Sequence, residues 1–84
     1  MARLLVIEDN ERLAGLIAQG LSPHGYRCDL ATTLADADAA LALAHFDAII
    51  LDLGLPDGDG GDWLRARPQA RDMPTLILTA RDGL

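Results

Sequence analysis

Three short apolar runs in this chain each stop on a chemically pointed residue. Leu4-Leu5-Val6-Ile7 runs into Glu8-Asp9, Ala48-Ile49-Ile50-Leu51 into Asp52, and Leu76-Ile77-Leu78 into Thr79. Unbroken apolar runs of this length, rich in Ile, Val and Leu, read as strands buried on both faces. Strands of that kind lie parallel in a sheet covered by helices, and ligands then bind beyond the carboxyl ends of the strands. The pattern predicts that three carboxylates and one hydroxyl, far apart in sequence, meet in one pocket.

The segments between the runs read as helices and one further strand. Asn10, or Asp9 before it, is a suitable N-cap, and Leu13, Leu16, Ile17, Gly20 and Leu21 recur at helical spacing before Pro23-His24-Gly25 stops the pattern. Tyr26, Cys28 and Leu30 alternate with Arg27 and Asp29, which predicts a strand with one wetter face, at a sheet edge. Thr33 followed by Asp36 resembles a capping box, and Leu34, Ala37, Leu41 and Ala44 supply the stripe of a second helix. Asp36 and Asp38 read as its solvated charges. Gly54-Leu55-Pro56-Asp57-Gly58-Asp59-Gly60-Gly61 is a strong turn signal. A short helix from Asp62 to Arg67, stopped or kinked by Pro68, leads to the last strand, Thr75 to Leu78. Trp63 and Leu64 are its expected core contacts, and Arg65, Arg67 and Arg71 its solvated face. The order is β-α-β-α-β-α-β, with helices on both sheet faces because parallel crossovers are right-handed.

At 84 residues the chain is one domain, residues 1–84, half of it apolar, and its formal net charge is −6. That charge, without a basic cluster, makes the segment a poor partner for nucleic acid. Its single cysteine, Cys28, forms no internal disulfide, and no Cys/His cluster suggests zinc. No apolar stretch reaches membrane-spanning length and no signal-peptide pattern is present, so no membrane partner is expected and the expected location is cytoplasmic.

Paired carboxylates at strand ends suit a hard cation such as Mg²⁺, which takes oxygen ligands and keeps several waters. A carboxylate is also a nucleophile toward phosphorus, and a hydroxyl such as that of Thr79 can donate to a phosphoryl oxygen. Each residue alone has a plainer reading: Glu8 and Asp9 as helix caps, Asp52 as a turn residue. The coincidence of three strand ends favours a site for a cation and a phosphoryl group.

The motifs V-I-E-D-N after the first strand, L-D-L-G-L-P-D-G-D-G after the third and L-T-A-R at the fourth resemble those of response-regulator receiver domains of bacterial two-component systems. The resemblance covers essentially the whole chain. It implies a flavodoxin-like, three-layer αβα fold with a parallel sheet in the order 2-1-3-4. It implies that Asp52 is the phosphoacceptor, taking a phosphoryl group from a sensor histidine kinase, in a signalling protein and not an enzyme. Asp9 would contact Mg²⁺ directly, Glu8 through water, and Gly54 through its backbone carbonyl. Thr79 would be the switch hydroxyl, and Ala80 the small residue that leaves Asp52 accessible. The wording around Pro56-Asp57-Gly58 is most like regulators with a winged-helix DNA-binding output domain, so DNA would be reached only through a domain absent from this chain.

The family's fifth strand and last two helices have no counterpart here, so the chain reads as a C-terminally truncated receiver. With them go a lysine and a switch aromatic residue; the chain contains no lysine at all. Leu76-Ile77-Leu78 would then be an apolar edge, open to homodimerisation or element exchange. The alternative function is a receiver-like interaction module that does not accept phosphate in this form. A haloacid-dehalogenase-type phosphatase needs a second aspartate where Gly54 stands, and an EF-hand fails at Gly61 and Pro68. His24 and His45 have no phosphotransfer surroundings, and each reads as a turn or helix-end residue.

Overall fold

A computed structural model describes residues 1–78. A four-stranded parallel sheet is assembled from β1 (Ala2–Ile7), β2 (Tyr26–Ala31), β3 (Ala48–Asp52) and β6 (Thr75–Leu78), in the order β2-β1-β3-β6. Helices α1 (Glu11–Leu21) and α2 (Leu34–Leu43) connect the first three strands. Between β3 and β6 the chain forms a small antiparallel hairpin of β4 (Gly54–Leu55) and β5 (Gly58–Asp59), then α3 (Gly60–Arg65) and α4 (Pro68–Arg71). The expected sheet order and αβα layering are present. The Gly/Asp loop, expected as a turn, forms a small hairpin about that turn, and α3 ends before Pro68 as expected, with Pro68 opening a further short helix at its first position.

The period-2 alternation of side chains explains how runs that are apolar throughout serve both layers. Leu5, Ile7, Ile49 and Leu51 point to one face and pack with Leu34, Ala37, Phe46, Leu55 and Trp63 from α2 and the α3 region. Leu4, Val6 and Ile50 point to the other and meet Ala14, Ile17 and Leu21 of α1. Both helices begin as the sequence predicts. The Asn10 side chain accepts from the Leu13 N–H at 3.1 Å, and the Thr33 hydroxyl accepts from the Asp36 N–H at 3.0 Å. The capping box is half formed, because the Asp36 carboxylate takes the Thr32 hydroxyl and not the Thr33 N–H.

The apolar face expected of α1 is only partly buried. Ala14 is fully enclosed, and Ile17 and Leu21 pack on the sheet. Leu13 is 41% and Leu16 56% exposed, beside Leu76 at 60%, whereas Ile77, 42% exposed, pairs with Leu51 and faces the opposite side. A single helix cannot roof that face of the four-stranded sheet, so the residues flanking its line of contact stay open among the described residues.

Asp38 and Arg67, expected as solvated charges, form one of two arginine–aspartate pairs. Arg67 grips Asp38 with both Nε and Nη2, the second at 2.8 Å, and its guanidinium lies 5.2 Å from the centre of the buried Trp63 ring. The Trp63 indole N–H donates to the same Asp38 carboxylate at 2.9 Å. The pairing thus staples α2 to the end of α3. Across the sheet, Arg3 donates to Asp29 at 2.7 Å and lies 5.1 Å from the Phe46 ring centre. Cys28 is half-buried, and burial raises its thiol pKa.

Each arginine holds its partner carboxyl below the ordinary aspartate range, through the side-chain hydrogen bond first. The unfolded chain therefore takes up protons on these groups before the folded chain does. Their contribution is complete above about pH 4 and disappears as pH falls through the folded values. Urea midpoints should decline between pH 5 and pH 2.5, and Asp38→Asn should flatten part of that decline. An unchanged pH profile in Asp38→Asn would remove the pair from the account. Asp38→Ala, which strands the indole N–H and the guanidinium, should cost about 1–2 kcal/mol at neutral pH after allowance for solvent screening.

Candidate functional site

Backbone register brings the acidic residues together. Ile7 of β1 pairs with Leu51 of β3 in parallel, so the residues that follow, Glu8 and Asp52, emerge side by side at the carboxyl edge. Oxygen atoms of Glu8, Asp9 and Asp52 lie within 4.8 Å of one another. They line a cavity of about 570 Å³ together with Asn10, Leu13, Ile17 and Leu78. Leu78 borders it because β6 pairs with β3 in the register Asp52↔Leu78. Thr79 and Ala80, the other expected site residues, lie outside the described residues.

Local turns fix each acid. The Glu8 carboxylate accepts the Asn10 N–H at 3.1 Å, and the Glu8 N–H is held by the Ala31 carbonyl at 2.9 Å. Asp52 Oδ1 accepts the Gly54 N–H at 3.3 Å, curving the chain back at the end of β3. Gly60 closes the loop by donating to the Leu53 carbonyl at 3.1 Å. A Cβ at Gly60 would stand 2.7 Å from the Asp52 carbonyl oxygen, so only glycine lets α3 start this close to the acid.

Glu8 is buried, Asp9 exposed and Asp52 between the two. Burial pushes the Glu8 carboxyl above its ordinary range, and the neighbouring Asp9 and Asp52 charges add to this against the Asn10 hydrogen bond. No arginine lines the cavity among the described residues. Three carboxylates of which one resists ionisation form a hard-oxygen donor set that a divalent ion would neutralise. The residues present therefore fit Mg²⁺.

Sequence reading placed Glu8, Asp9 and Asp52 correctly at one edge. It missed Asp57, read as a turn residue. The Asp57 carboxylate accepts the N–H groups of Leu34 at 2.9 Å and Ala35 at 3.0 Å, and these two bonds lower its pKa. No local signal marks a cap that comes from another part of the chain.

The chain matches the family model described as response regulator receiver domain over residues 4–84. It is 48% identical over 81 residues to the transcriptional regulatory protein PmrA of Pectobacterium parmentieri, covering 95% of this chain and 36% of that protein. It is 41% identical to BasR of Escherichia coli K12, covering 98% of this chain and 37% of that protein. The chain thus spans little more than a third of these relatives. Among solved structures, the receiver domain of HemR from Leptospira biflexa superposes with a TM-score of 0.87 at 35% identity, over 100% of this chain and 68% of that one. The Thermotoga maritima response regulator TrrA, solved in complex with Mg²⁺ and BeF, superposes with a TM-score of 0.86 at 28% identity, over 98% of this chain and 72% of that one.

Replacing one acid should relieve the crowding of like charge. Asp52→Asn should raise the melting temperature of the metal-free protein and reduce the further rise that Mg²⁺ gives the unaltered chain. For the unaltered chain that rise corresponds to about 2.7 kcal/mol at a hundredfold excess of Mg²⁺ over its dissociation constant. Equal melting temperatures with and without Mg²⁺ would contradict the cation reading. Gly60→Ala should destabilise by about 1–3 kcal/mol through the clash with the Asp52 carbonyl, read as a lowered urea midpoint.

Proposed function

The chain belongs to the response-regulator receiver family, and from that premise we propose that Asp52 accepts a phosphoryl group with Mg²⁺ held by Asp9, Glu8, Asp52 and the Gly54 carbonyl. The observation that carries the proposal is the convergence of three carboxylates from β1 and β3 within 4.8 Å of one another. Bound there, Mg²⁺ would neutralise the charge on the transferring phosphoryl group.

The chain's own residues supply the rest. Asp9, at the exposed end of the pocket, leaves the site open to a donor, while the Asn10 N–H holds Glu8 in place. An Asp52 carboxylate oxygen forms the bond to phosphorus as the P–N bond of a phosphohistidine breaks. The imidazole leaves with the electron pair and is protonated. The donor is then a sensor histidine kinase, and the product is an aspartyl phosphate on this chain itself, so the domain is a signalling phosphoacceptor and not a turnover enzyme. Thr79 would donate its hydroxyl to the phosphoryl group and Ala80 would leave room for it, and in a regulator as long as the curated relatives an output domain would carry the response to DNA. No helix among the described residues is long and apolar enough to cross a membrane, which agrees with the proposed cytoplasmic location.

The exposure of Leu76 at 60% and Ile77 at 42% supports a second element of the reading. Two copies would associate through the β6 edge, whose outer backbone groups can pair with another strand. Sizing at micromolar concentration should give more than a monomer, and a stable monomer would exclude it.

Phosphorylation is tested with acetyl phosphate and Mg²⁺. The expected product is a single acid-stable, hydroxylamine-labile phosphoryl adduct, seen by mass spectrometry and lost in Asp52→Asn. A folded protein that gains no adduct would instead favour the interaction module that does not accept phosphate.

A further inference from the structure

Both loops that carry the acidic pocket are fastened to one short stretch of chain that contributes nothing to it. That stretch is Ala31–Ala35, where β2 passes into α2. On one side the Glu8 N–H donates to the Ala31 carbonyl at 2.9 Å, directly beside Asp9 in sequence. On the other, the Asp57 carboxylate takes the Leu34 N–H at 2.9 Å with Oδ1 and the Ala35 N–H at 3.0 Å with Oδ2.

Those N–H groups are among the four that an α-helix leaves without an internal partner at its start. The helix already has its own cap, since Thr33 serves the Asp36 N–H. The second cap spans 22 and 23 residues of sequence. A bond of that span fixes the hairpin relative to the helix as much as it serves the helix. The surrounding contacts point the same way. A Cβ at Gly58 would lie 3.1 Å from Leu34 Cδ1, so the hairpin backbone rests directly on the first residue of α2. Leu55 is buried in the same core cluster as Leu34. At its far end the loop closes on its own base, the Gly60 N–H donating to the carbonyl of Leu53, the residue that follows β3. The hairpin that follows Asp52 is therefore closed at its base on Leu53 and fixed at its turn to the start of α2.

We infer that Asp57 is a positioning residue for the pocket: by locking the β4–β5 hairpin onto the start of α2, it sets where Asp52 and the Gly54 carbonyl stand relative to Asp9. The inference rests on the Mg²⁺ reading of the site for its functional consequence, and on the tether itself for its structural one. Ala31–Ala35 acts as the common footing of the two acid-bearing loops.

Thr33→Ala is the matched control, because it removes the local cap of the same helix and leaves the hairpin bonds in place. Amide exchange between Leu53 and Gly60 in the metal-free 84-residue chain reads the tether. Titration with Mg²⁺ alone, followed by Trp63 fluorescence and calorimetry, reads the pocket. Asp57→Ala should speed exchange across the hairpin and weaken Mg²⁺ binding by about tenfold, as loss of an outer-shell support does at other metal sites. Thr33→Ala should lower the melting temperature and change neither. Asp57→Asn keeps one acceptor oxygen and should lie between, which preserves the test if the alanine variant does not fold. Equal effects of Asp57→Ala and Thr33→Ala on exchange and on Mg²⁺ affinity would reduce Asp57 to a helix cap and overturn the inference. If the unaltered chain binds no Mg²⁺, the cation reading fails, and the exchange comparison alone still decides the tether.

Discussion

The parallel register of β1 against β3 is the constraint from which the rest of the molecule follows. Ile7 lies beside Leu51, so whatever follows each strand must share one small volume. In this chain Glu8-Asp9 follows the first and Asp52 the second. A slip of one residue would turn every side chain of β3 to the opposite face. Ile49 and Leu51 would exchange faces with Ile50, breaking both core clusters at once. Core packing thus holds the register, and the register holds the carboxylates together against their mutual repulsion.

That repulsion runs against the other ionic interactions. Asp29 and Asp38 have arginine partners and favour the folded state once ionised. Glu8 has none among the described contacts; it is buried beside two further acids, so ionising it disfavours folding as pH rises. A local sacrifice of stability at a functional pocket is a familiar pattern, since residues arranged to bind charge are rarely arranged to stabilise the empty fold. Here the surrounding turns carry the strain of position: Asn10 on Glu8, Gly54 on Asp52, and Gly60 against the Asp52 carbonyl.

The two faces of the sheet are unequally covered. α2, the hairpin, α3 and α4 enclose one side and bury Trp63 and Phe46. Among the described residues the other side has α1 alone, and Leu16 and Leu76 remain open beside it. The same asymmetry separates a side of the pocket whose loops are hydrogen-bonded to Ala31, Leu34 and Ala35 from a side bordered by Leu13, Ile17 and Leu78.

Much of this was legible in the chain itself. The apolar runs marked the strands and the meeting of Glu8, Asp9 and Asp52 at one edge, and the resemblance to receiver domains implied the sheet order; the exposure of Leu76 and Ile77 in the last run was not legible from its apolar pattern. Asn10 and Thr33 were legible as caps because a cap acts on groups two or three residues away. Asp57, Asp38 and Arg67 were not legible, although all three are plain in the sequence. Their partners lie 22 or more residues distant, and the same aspartate or arginine facing water would leave an identical local pattern. The exposure of Leu13 and Leu16 was hidden for the same reason: helical spacing tells which residues share a face, while what covers that face is decided by how many elements the tertiary fold lays across it. Periodicity and local capping are properties of neighbours in sequence, and they determined the elements and the site edge. Long-range pairing depends on where the whole fold sets each surface, and only the folded structure could decide it.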